Sequence, residues 1–97
     1  MSHEAYHEPA EALSAATRDY HRAVVSLMEE LEAVDWNNQR IEACADGELQ
    51  QILMHNRDEE KEHAVMILEW LQRRDAKLSE ELKKRLFNSG PIAHEHD

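Results

Sequence analysis

The chain is constrained first by two long runs of positions spaced in steps of three and four. Leu13, Ala16, Tyr20, Val24, Leu27, Leu31 and Val34 form one run; Leu53, Asn56, Glu60, His63, Ile67 and Trp70 form the other. This period belongs to one face of an α-helix, because a strand would alternate every second residue. Only two Gly and two Pro interrupt 97 residues dominated by Glu, Ala, Leu and Lys/Arg, a composition of long helices. The expected fold class is all-α: an antiparallel two-helix hairpin plus a short C-terminal helix.

Local signals set the expected boundaries. Pro9 is tolerated in a first helical turn, so helix one should run from about Pro9 to about Arg40. Asp46 can cap a new helix and Gly47 is flexible, which places the turn at about Ala43 to Asp46 and helix two at about Gly47 to Arg73. Asp75 can cap a third helix carrying Leu78, Leu82 and Leu86, stopped by Asn88-Ser89-Gly90-Pro91. One helical domain should therefore span 9–90, between flexible ends at 1–8 and 91–97.

Composition excludes several classes. A formal net charge of −10 argues against a nucleic-acid partner and suits attraction of cations. No apolar run approaches the roughly 20 residues that span a bilayer, and Met1-Ser2-His3-Glu4 is no signal peptide; the expectation is a soluble intracellular protein with no membrane partner. Cys44, the single cysteine, reads as a small residue near a turn. A chain this short encloses little core alone, so self-association is expected.

The second run carries a carboxylate and an imidazole where apolar side chains belong. Burying Glu60 and His63 unpartnered would cost several kcal/mol, and a shared metal ion is one way to compensate them. Glu60-x-x-His63 also matches the inward-pointing pair of di-iron carboxylate four-helix bundles, which require a lone Glu from another helix. Glu30 is the candidate: if the hairpin pivots near Ala45, Glu30 and Glu60 are equidistant from the pivot, with His63 one turn farther, level with Leu27. A buried hydrogen-bonded trio and ordinary surface charges are the competing readings. The donor set suits iron, with manganese, zinc or calcium as substitutes. A complete di-iron site needs twice what one chain offers, so two chains related by a twofold axis would complete it.

Other motifs carry less. Glu29 and Glu32 are helical neighbours away from the apolar stripe, either a solvated face or an ion-attracting patch. Glu59 and Glu62 read as solvated, with Arg57 and Lys61 as local partners. Trp36, just past the first run, and Trp70, at the end of the second, read as core or interface; Tyr20 reads as a core tyrosine. His3-Glu4-Ala5-Tyr6-His7 matches the H-E-x-x-H zinc signature, but it lies ahead of Pro9 with no scaffold for a cleft. His94-Glu95-His96-Asp97 is a terminal His/acid cluster without an expected role.

Two blocks, Met-Glu-Glu-Leu-Glu-Ala-Val-Asp-Trp at 28–36 and His-Asn-Arg-Asp-Glu-Glu-Lys-Glu-His-Ala at 55–64, closely resemble the encapsulated ferritins, short ferritin-like proteins housed in bacterial encapsulin shells. The resemblance spans about Glu8 to Gly90. It implies a homodimer that recreates a four-helix ferritin site, and a ring-shaped homodecamer within an encapsulin nanocompartment of the bacterial cytoplasm. It implies ferroxidase activity, in which dioxygen oxidises Fe(II) at a di-iron centre and Fe(III) passes to mineral storage. The family's iron ligands fall on Glu30, Glu60 and His63, and its acidic access or secondary metal site on Glu29 and Glu32, near Trp36. Asn37 stands where a tyrosine is expected beside the site, and Pro91 to Asp97 does not resemble the family's apolar shell-docking peptide. The alternatives are a non-catalytic metal-binding oligomer, a purely structural helical oligomer and a rubrerythrin-like peroxidase.

Overall fold

Each helix of the computed structural model, which describes residues 5–93, begins on a polar side chain that caps it. A short 3-10 turn at Ala10–Ala12 precedes α1 (Ala15–Ala43), α2 (Gly47–Arg73) and α3 (Ala76–Arg85), and no strand occurs among the described residues. Ser14 accepts the Thr17 N–H at 3.1 Å, Asp46 the Leu49 N–H at 2.9 Å and Asp75 the Leu78 N–H at 3.0 Å. Each satisfies a donor that a helix N-terminus leaves without an intrahelical partner.

The first helix starts later than Pro9. Pro9 leads into the 3-10 turn instead, Leu13 is extended with ψ 136°, and Ser14 restarts the chain as a helix. The physical reason is the Ser14 cap, reinforced by Arg18, whose Nε and Nη2 donate to the Leu13 carbonyl at 3.2 and 2.9 Å. The far end of α1 overruns Arg40 by three residues to Ala43. The turn and the start of α2 lie where Asp46 and Gly47 place them.

Cys44, Ala45 and Asp46 form the whole connection between α1 and α2. Gln50, in the first turn of α2, donates its amide to the carbonyls of Ile41 at 2.8 Å and Cys44 at 3.1 Å. One side chain thus satisfies carbonyls that the end of α1 cannot pair internally and ties the two helices at the turn. Farther along the pair, the Arg57 Nη1 donates to Asn38 Oδ1 at 3.2 Å.

At the opposite end of the hairpin, α3 is tethered to α1. Asp75 Oδ2 accepts the Tyr20 hydroxyl at 2.6 Å while its other oxygen caps α3. The donated hydroxyl proton holds the Asp75 carboxyl below its ordinary range, assisted by the Leu78 N–H, and the same bond raises the Tyr20 hydroxyl above its ordinary value. Tyr20, expected as a core tyrosine, is half-buried and works through its hydroxyl. Past α3, Phe87 takes φ 60°, a left-handed position usually given to Gly or Asn, and its ring is fully exposed.

Two helices side by side leave most of each circumference open. Ala64 and Leu71 are the buried apolar residues among those described, and Asn37 is the buried polar one. Leu31, expected in the α1 seam, is 55% exposed, and Leu49 and Ile52, near the start of α2, are 46% and 56% exposed. An apolar stripe about 100° wide or more needs neighbours on both flanks, whereas each helix here has one long partner.

Replacing Ser14 by Ala should lower the unfolding free energy by about 1 kcal/mol in urea melts. The Tyr20–Asp75 bond makes a pH-dependent contribution. Asp75's share is present above its ordinary pKa of 3.8 and lost as pH falls through its lower folded value. Tyr20's share is present below 10.0 and lost as pH rises through its raised folded value. Tyr20→Phe should therefore return the Asp75 carboxyl toward its ordinary value in a carbon-detected NMR titration, and weaken α3 amide-exchange protection near neutral pH.

Candidate metal centre

The α1 stripe continues from Glu30 through Val34 to Asn37, and the α2 stripe carries Asn56, Glu60 and His63. Packed antiparallel, these faces form an open cleft of about 260 Å³ lined by Glu29, Glu30, Ala33, Asn56, Glu59, Glu60 and His63. Glu30 Oε1 lies 3.5 Å from His63 Nδ1 across the helix pair, with the Glu30 side chain 27% and the His63 side chain 50% exposed. Glu60 lines the same cleft, and its Oε1 accepts the Asn37 Nδ2 at 2.8 Å. Asn37 in turn accepts from Arg40 Nη1 at 3.2 Å on its other side.

The direct contact of Glu30 is with His63 rather than with Glu60, the residue equidistant from the turn. Helix side chains lean toward the N-terminus of their own helix. In an antiparallel pair the lean carries α1 side chains away from the turn and α2 side chains toward it. The two offsets add, and Glu30 meets the residue one turn farther along α2.

The secondary group divides. Glu29 reaches the cleft, whereas Glu32 and Trp36 do not line it. Trp36 is 48% exposed, with the Arg40 guanidinium carbon 5.9 Å from its ring centroid. Arg57 and Lys61, expected beside Glu59 and Glu62, pair instead with Asp58 at 3.2 and 3.9 Å. Glu59 instead faces His55, whose Nε2 is 3.3 Å from its Oε1, one turn earlier on the same helix face. Trp70 lies under the Arg74 guanidinium at 4.0 Å. His3 and Glu4 of the H-E-x-x-H match, and His94 to Asp97, lie outside the described residues.

Carboxylate oxygens and an imidazole nitrogen on one cleft are donors suited to a divalent transition metal. Among the described residues, no three His, Cys, Asp or Glu side chains of one chain converge closely enough to hold such an ion. Asn37 is legible in the sequence only as a departure from the expected tyrosine, although its seven-residue step from Glu30 already places it on the stripe that carries Glu30.

Two antiparallel helices, one presenting a Glu and the other a Glu-x-x-His toward a common seam, define a ferritin-like helical hairpin. The chain belongs to the EncFtn-like family, whose model matches residues 5–89, and this is the family indicated by the 28–36 and 55–64 blocks. It is 63% identical over 86 residues to an "Encapsulated ferritin-like protein" of Rhodospirillum rubrum, a match covering 89% of this chain and 61% of that relative. It is 49% identical over 87 residues to a "Ferritin-like protein" of Thermotoga maritima, covering 90% of this chain and 76% of the relative. The chain thus spans about three-fifths of the Rhodospirillum relative's length. The crystal structure of a Nitrosomonas europaea protein superposes with a TM-score of 0.89 at 62% identity, over 92% of this chain and 98% of that one.

Proposed function

We propose that the protein is a ferroxidase, binding Fe(II) as substrate at Glu30, Glu60 and His63 and oxidising it to Fe(III) with dioxygen. The observation that carries this reading is the approach of Glu30 to His63 across the seam, at 3.5 Å, on a cleft that Glu60 also lines. One chain supplies two carboxylates and one imidazole, half of a di-iron set, and a twofold copy supplies the rest. Iron provides the redox chemistry, and the protein provides placement and a field.

The residues divide that work. Glu30 and Glu60 supply carboxylate oxygens, and His63 supplies an imidazole nitrogen to the same cleft. Glu29, on the cleft, and Glu32, on the neighbouring face, add negative charge that draws cations toward it, within a chain of net charge −10. The exposed Leu31, Ile52, Val65 and Met66 supply apolar surface for a homodimer and a ring-shaped homodecamer. The Rhodospirillum relative's name and the family support a further destination, an encapsulin shell in the bacterial cytoplasm that stores the Fe(III). No helix among the described residues is long and apolar enough to cross a membrane. The three-helix domain at 9–90 is the unit that assembles.

Aerobic addition of Fe(II) should give dioxygen uptake and ferric absorbance faster than in protein-free buffer. Glu30→Ala, Glu60→Ala and His63→Ala should each reduce that rate by at least about tenfold, as expected where an interaction worth 1.4 kcal/mol or more is lost at the reacting ion. Anaerobic Fe(II) binding without accelerated oxidation would instead favour a buffering role, and faster turnover with hydrogen peroxide than with dioxygen would favour a peroxidase. Size-exclusion chromatography with light scattering should show assemblies larger than one chain, and their melting temperature should rise with protein concentration and with Fe(II).

A further inference from the structure

We infer that Asn37 is a positioning residue for Glu60, and that Arg40 determines which end of the Asn37 amide faces the metal cleft. The inference rests on the metal-site reading above and concerns how this chain holds one of its ligands. Asn37 is 5% exposed, the buried polar side chain among the described residues, and both ends of its amide are engaged. Nδ2 donates to Glu60 Oε1 at 2.8 Å and Oδ1 accepts from Arg40 Nη1 at 3.2 Å. A carboxylate can only accept and a guanidinium can only donate, so a single amide orientation satisfies both neighbours. Flipping the amide would set oxygen against oxygen and nitrogen against nitrogen.

Three side chains therefore form a relay along α1 into the seam. Arg40 sits over the Trp36 ring at 5.9 Å, which gives that exposed tryptophan a packing role in the relay. Arg40 orients Asn37, and Asn37 anchors one oxygen of Glu60. The anchored carboxylate keeps Oε2, and the second lone pair of Oε1, for a cation. Among the ligand carboxylates, Glu30 instead faces the His63 imidazole at 3.5 Å. The two Glu ligands are thus held in different ways, Glu60 through an amide buttress and Glu30 against a fellow ligand.

The test is an anaerobic optical titration of the full chain with Co(II), whose visible absorption band reports coordination. Asn37→Leu keeps the number and branching of side-chain heavy atoms and removes both hydrogen bonds. Partners of ligating groups are worth about 10- to 100-fold in metal affinity, so Co(II) should bind at least about tenfold more weakly, with an altered band. The metal-free melting temperature by circular dichroism is the control: a merely structural Asn37 would shift it while leaving Kd and the band at parental values. That result overturns the inference. If Asn37→Leu does not fold, Arg40→Met decides on the same readouts. Removing a positive charge near a cation site should by itself tighten binding, so weaker binding and a changed band support the relay, and tighter or unchanged binding overturns it. Absence of Co(II) binding by the parent would fail the metal-site reading itself.

Discussion

The structure depends on a single antiparallel contact between two long helices. A hairpin of this kind has one seam in which to bury side chains, and in this protein the seam is shared between packing and polar groups. Ala64 and Leu71 are its buried apolar members, while Asn37, Glu30, Glu60 and His63 occupy seam positions that a structural hairpin would fill with leucine. A polar group in a seam raises the cost of folding unless it is partnered. Here the described side chains leave no buried nitrogen or oxygen unpaired, so the polar seam is tolerated because its members answer one another.

That sharing explains why so much apolar surface remains outside. Leu31, Ile52, Val65 and Met66 are exposed, and under the proposed function a second hairpin would cover them. On the proposed reading, assembly and metal binding would be two faces of one requirement, since a second hairpin would both cover apolar surface and complete the metal site. In that assembly the net charge of −10 per chain would oppose association, and a cation between the chains would offset the repulsion.

Much of this was readable from residue spacing. The steps of three and four gave α1 and α2, Asp46-Gly47 gave their turn, and Asp75 gave the start of α3. The placement of Glu30, Glu60 and His63 on one cleft also followed from periodicity. What spacing could not give was decided by side-chain direction and hydrogen bonding. Counting from the turn set Glu30 opposite Glu60, because counting treats side chains as perpendicular to the axis, and their lean moved the contact to His63. The start of α1 lies later than Pro9 suggests, because Pro is tolerated in a first turn without requiring one, whereas the Ser14 side chain caps the helix by accepting the Thr17 N–H. Asn37 departs from the expected tyrosine, and only the fold sets its amide between Arg40 and Glu60.

The clamp at the turn carries a consequence for how such a chain can vary. Gln50 reaches back to Ile41 and Cys44, and thereby sets the spatial origin from which positions along both helices are measured. An added or lost residue between that origin and Glu30, or between it and His63, would swing the side chain about 100° around its helix and off the seam. The stretch from Glu30 to His63 thus behaves as a ruler of fixed length, in which letters away from the seam and the turn can change more freely than their number, while insertions have room only beyond its ends.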